Sequence, residues 1–149
     1  MASRKLLLAV LAAGTGLLSA PKAHSEESIW TGLVLASNEE HPKAAAPELE
    51  KYWNKLRNIF GYNEYELLGQ RSEILTGPGE HWIIPRKDFF LCVTSRLSEK
   101  PGSYRMKMDL YQEKNLLAQM EARVSGQNLL FIRGPAYDKG RIIIILMVK

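Results

Sequence analysis

The chain is poor in the residues that most often carry chemistry. Cys92 is the only cysteine among 149 residues, which excludes an internal disulfide framework and any Cys-x-x-Cys redox or metal motif. Histidine is scarce too, with three residues and no His-Glu-x-x-His pattern; zinc sites gather three or four N or S ligands at close range. No aspartate-rich loop offers the alternating oxygens of a calcium site. No Gly-x-Ser-x-Gly is present to raise a nucleophilic serine. No apolar run reaches the roughly 20 residues of a spanning helix: Leu6–Leu18 has thirteen and Ile142–Val148 seven. No cofactor and no metal is therefore expected, and an enzyme is the less favoured class.

The shorter lengths have other uses. Arg4 and Lys5 precede the stretch Leu6–Leu18, and small and polar residues follow it. This is the layout of a secretory signal peptide. Ala23-His24-Ser25 puts small residues at the two positions a signal peptidase reads, so residues 1–25 are expected to leave and Glu26 to become the new terminus. A retained N-terminal anchor is the alternative. The expected location is secreted or periplasmic. The leader carries three of the twenty basic residues and no acidic one, which leaves 17 basic against 16 acidic residues in 26–149. A net charge of +1 is a poor match to nucleic acid. Residues 26–149 suit a single globular domain with a buried core and no transmembrane segment.

Within that domain, Ile29–Ala36 reads as a first strand. Pro47 suits a first helical position, and Leu49, Tyr52, Trp53, Leu56, Ile59 and Phe60 recur at spacings of three and four before Gly61. This predicts one amphipathic helix over 47–60, stopped by a left-handed glycine. Beyond it the period drops towards two. Tyr65–Leu75, with a break or a bulge at Gly69, Trp82–Ile84 before Pro85, and Phe89–Leu97 read as strands. Tyr104, Met106, Met108 and Leu110 alternate with Arg105, Lys107 and Asp109; Ala118, Met120, Ala122 and Val124 alternate with Gln119, Glu121 and Arg123. The two segments predict a hairpin with one dry face and opposite charges able to pair on the wet one, with a helix over 112–123, rich in helix formers, as the competing reading. The fold class is α+β: about six or seven mainly antiparallel strands packed on one helix, with a small barrel or sandwich carrying one helix as the alternative.

Cys92 sits inside Phe89-Phe90-Leu91-Cys92-Val93 and reads as a small buried side chain. Its thiol has neither the base nor the exposure of a nucleophile. Glu39-Glu40-His41 reads as a solvated loop. The stretch 79–88 follows a Gly-Pro-Gly turn and displays His81, Trp82 and Arg86, residue types that combine apolar area with directional hydrogen bonds. It is the first candidate binding segment. The second is Arg133-Gly-Pro-Ala-Tyr137-Asp-Lys139-Gly-Arg141, whose basic groups and Tyr137 offer an anion site. It lacks the order of a P-loop, and its glycines mark a hairpin leading into Ile142–Val148, a strand apolar on both faces and so expected to be central.

These features suggest an exported, non-enzymatic domain that binds a protein or envelope component. The competing reading is a small ligand-binding or hydrolytic domain using a helix–sheet cleft with His81 and a glutamate. The order of strand, helix and antiparallel strands resembles cystatin-like folds in outline, which would imply protease inhibition. The Gln-x-Val-x-Gly signature of that family is missing, the nearest stretch being Leu68-Gly69-Gln70-Arg71.

Overall fold

The structure, a computed structural model, describes residues 27–75, 79–97, 103–126 and 128–149. The expected leader, the Gly-Pro pair after Thr76 and the Pro101-Gly102 turn lie outside these residues. Eight strands follow the alternating segments: β1 (Glu27–Ser37), β2 (Glu64–Leu75), β3 (Gly79–Arg86), β4 (Phe89–Leu97), β5 (Ser103–Gln112), β6 (Asn115–Ser125), β7 (Leu129–Tyr137) and β8 (Gly140–Val148). All pairings are antiparallel. One sheet has the order β2-β1-β8-β7 and the other β3-β4-β5-β6. Consecutive strands pair within each sheet, the chain passes from one sheet to the other between β2 and β3 and between β6 and β7, and it returns at its end to pair β8 with β1.

The expected strand count of six or seven is corrected to eight. The short apolar cores at 82–84 and 129–132 nucleate longer strands than their own length. Pro85 is accommodated because β3 is a sheet edge, where a missing N–H costs no ladder bond, and the register shifts between Ile83 and Arg86.

Alternation decides which side chains meet between the sheets. Ile29, Leu33, Ile142, Ile144, Leu146 and Val148 project from the first sheet, and Ile83, Phe89, Leu91, Val93, Met106, Met108, Leu110 and Val124 from the second. Together they form one buried cluster. The odd-numbered residues Ile143 and Ile145 take the opposite face of β8 and, with Val34, Ala36 and Tyr65, form a second cluster under the helical segment. A strand that reads as apolar on both faces is therefore buried on both, as β8 was expected to be.

The single helix over 47–60 is corrected to two short ones, α1 (Pro47–Glu50) and α2 (Trp53–Phe60). At the break the Tyr52 N–H bonds to the Leu49 carbonyl at 2.8 Å, an i to i+3 bond that tightens the turn. Leu49, Tyr52 and Leu56 all lie against the outer face of the first sheet. Ile59, part of the same sequence stripe, is left 53% exposed. Gly61 ends α2 at φ 77°, its N–H bonded to the Arg57 carbonyl at 2.9 Å, as the glycine's freedom in the left-handed region led one to expect. Tyr65 ties α2 down. Its hydroxyl donates to the Leu56 carbonyl at 2.9 Å, and Trp53 meets its ring edge-on at 5.5 Å. Burial raises the pKa of this phenol. The helices thus lie outside one of two facing sheets, unlike the cystatin-like arrangement of one sheet wrapped around one helix. Among the described residues, no helix is long and apolar enough to cross a membrane.

Candidate functional site

With α1 and α2 covering the outer face of the first sheet, the outer face of β3-β4-β5-β6 carries no helix among the described residues. Its side chains follow from register. Nearest the β3–β4 and β5–β6 turns are Ile84, Phe90, Tyr111 and Leu116. One step along come Trp82, Cys92, Asp109 and Gln119, then Glu80, Thr94, Lys107 and Glu121. At the far end stand Arg96, Arg105 and Arg123. The face is apolar at one end and basic at the other.

The apolar end is built on Trp82, 51% exposed in the middle of a strand, whose ring lies 5.7 Å from that of Tyr111 with the planes 35° apart. Ile84 and Leu116 are also exposed beside it. Gln119 donates to Asp109 Oδ1 at 3.1 Å. Cys92 is buried opposite Trp82. Burial, then the carboxylates of Glu80 and Asp109, push its thiol above its ordinary pKa, so at neutral pH it stays protonated. A thiol reagent is expected to label the native protein at less than about a hundredth of the rate for the unfolded chain, in line with the local opening it needs. Rapid labelling under native conditions would contradict this.

At the basic end Arg96 stands directly opposite Arg105, and Arg105 directly opposite Arg123. Neighbouring strands are about 4.8 Å apart, so three guanidinium stems rise side by side over a span of about 10 Å. Like charges in directly opposed positions destabilise a sheet. Among the described residues none of the three has a carboxylate within ion-pair distance. They line two adjoining concavities of about 190 and 340 Å³, shared with Thr94, Lys107, Glu121 and Ala122. The opposite charges expected to pair across the hairpin do face one another at Lys107 and Glu121; at the next step the register sets arginine against arginine.

The residues singled out from sequence do not converge. The stretch 79–88 is strand up to Arg86, with only Lys87–Asp88 forming a turn. Trp82 belongs to the face just described. His81, half-buried, points the other way, on the side of Ile83. Arg86 is paired with Asp88 at 2.9 Å. Arg133 stands opposite Ile143 on the outer face of the first sheet. Tyr137 packs edge-on against Phe89 at 5.2 Å, in the core. Lys139 bridges to Glu39 at 2.8 Å, and that hydrogen bond holds the Glu39 carboxyl below its ordinary pKa. Arg141 donates to the Gly134 carbonyl at 3.0 Å. The basic groups around 133–141 thus act separately: Arg141 braces the hairpin, and Lys139 ties it to Glu39 after β1.

A further concavity of about 280 Å³ lies between α1 and the first sheet, lined by Trp30, Glu48, Tyr52, Gln70, Met147 and Lys149 among others. Trp30 Nε1–H donates to Gln70 at 3.0 Å, and Gln70 donates to Glu48 at 3.2 Å. His81 is not among its lining residues. No group of three or more His, Cys, Asp or Glu with metal-binding proximity occurs among the described residues. Comparison with family models, with curated proteins and with solved structures finds no match to this chain.

Proposed function

We propose that this chain is an exported, non-enzymatic binding protein whose partner docks on the outer face of β3-β4-β5-β6. One observation carries the reading: a half-exposed Trp82 stacked on Tyr111 shares a strand face with the opposed Arg96, Arg105 and Arg123. Tryptophan, tyrosine and arginine are the side chains that most often dominate binding energy. Exposed apolar groups mid-strand and a row of like charges both work against the free protein, and a partner offsets both. Export rests on the layout of residues 1–25.

The test is capture from the exported fraction of the source cell by immobilised wild-type protein and by Trp82→Ala/Tyr111→Ala. The variant is expected to retain less than about a tenth of the specifically captured partner, the loss typical of removing two central aromatic anchors. Equal capture by a variant with unchanged melting sinks the reading. The concavity beside Trp30 favours a second reading, a small ligand held between α1 and the first sheet. That reading requires quenching of Trp30 fluorescence by the ligand, abolished in Trp30→Phe.

A further inference from the structure

We infer that the arginine row receives two or three carboxylates of an extended acidic segment of another protein, a segment whose apolar residues lie on Trp82 and Tyr111. This rests on the docking reading above and names the partner's chemistry. Three features argue for it together.

The first is the row itself. Arg96, Arg105 and Arg123 stand on three adjacent strands in directly opposed positions. A guanidinium binds a carboxylate through two parallel N–H donors, and a segment running along β5 from Tyr111 brings its far residues over the row, where long side chains from three adjacent strands converge on its carboxylates. The second is that the face is not uniformly basic. Glu80, Asp109 and Glu121 share it with Arg96, Arg105, Lys107 and Arg123. An anionic membrane or a sulfated polysaccharide, repeating one charge over a broad area, would press against those three carboxylates too. A short segment places its charge on the arginines alone. The third is the change of character along the strands. Tyr111 is six residues from Arg105 on β5, about 20 Å at the rise of a strand, and there the face is aromatic and aliphatic. A polypeptide puts acidic residues at one end of such a stretch and apolar ones at the other; a homopolymer does not.

The test titrates the purified protein with a synthetic peptide of two leucines, three serines and three glutamates, reading tryptophan fluorescence and heat. Wild type is expected to bind, with affinity falling steeply between low and high salt. Arg105→Ser is expected to weaken binding at least about tenfold, as loss of a central charge-assisted pair does. The same variant is expected to melt about 1–3 °C higher, because it relieves the opposed charges. Glu121→Gln is expected to tighten binding. A purely structural role for Arg105 would lower melting and leave the peptide affinity unmoved, and that result overturns the proposal.

Two parallel arms use a heparin-type polysaccharide and vesicles with a third of their lipid as phosphatidylserine. If either binds through Arg105 and the peptide does not, the acidic segment is wrong while the docking face stands. If no probe binds, the arginine assignment fails, and the docking face is judged separately by the Trp82→Ala/Tyr111→Ala capture.

Discussion

Removing residues 142–149 is expected to leave a chain with no cooperative thermal transition. β8 lies between β1 and β7, so its loss unpairs two strands at once. It supplies Ile142, Ile144, Leu146 and Val148 to the core between the sheets, and Ile143 and Ile145 to the core under the helices. Full burial of one such side chain is worth roughly 1.5–3 kcal/mol, so the six together contribute roughly 9–18 kcal/mol. Net stabilities of folded domains are about 5–15 kcal/mol. A milder version separates packing from pairing. Ile144→Ala keeps every backbone bond and is expected to cost about 3 kcal/mol, read as a lower urea midpoint and a melting temperature roughly 10 °C lower. Ile59→Ala, in the exposed part of the helical stripe, is expected to cost under about 0.5 kcal/mol. A soluble truncation that melts cooperatively, or equal costs at Ile144 and Ile59, would refute this account of the core.

Gly69→Val is the second large effect. β2 passes close over β3 at this point, although the two strands belong to different sheets. A Cβ on Gly69 would collide with the carbonyl of Pro85, a backbone atom that no rotamer change can move aside. The strands must separate. The expected cost is about 3 kcal/mol or more, at the upper end of overpacking penalties. Hydrogen exchange would locate the damage: β3 amides are expected to lose protection well before those of β8. Gly126→Ala, whose added Cβ meets nothing within 4 Å, serves as the neutral control. Wild-type stability in Gly69→Val would mean that the seam between the sheets is looser than the backbone approach implies.

Much of this fold was legible because alternation and strong turns carry local information. The segments from Tyr104 to Leu110 and from Ala118 to Val124 became β5 and β6 with the expected dry face, and the isoleucine run became the central strand. The bulge expected near Gly69 is present, with Leu33 opposite Gly69 and Val34 opposite Leu67. The break between α1 and α2 was not legible, because the stripe from Leu49 to Phe60 is continuous in sequence.

The candidate face was half visible. Trp82 stood out by type, but the arginine row depends on register. A two-residue turn at Glu113–Lys114 alone would set Asp109 opposite Ala118, a wet position against a dry one. The register shift beyond Leu110 leaves Leu117 unopposed and restores the match of faces, and in doing so brings Arg105 opposite Arg123. That conflict between turn length and alternation was present in the sequence and could have been used. Arg96 could not have been placed so readily, because its partner Arg105 lies beyond residues 98–102, which are outside the described residues. The basic residues near 133–141 form a cluster in sequence that the hairpin spreads onto opposite faces and into separate contacts.

The pairing of β8 with β1 also has a consequence in time. Ser28 and Lys149 exchange backbone hydrogen bonds at 3.1 and 2.8 Å, so the first described strand is completed only by one synthesised more than a hundred residues later. Contacts of such separation form late, since the loop must close before they reward it. Until then β1 keeps one unsatisfied edge, and the apolar side chains on both its faces lack their cover. Each newly made chain is therefore expected to pass through an interval in which that edge and those side chains are open to other chains. Folding yield should fall with protein concentration more steeply than the stability of the finished molecule suggests.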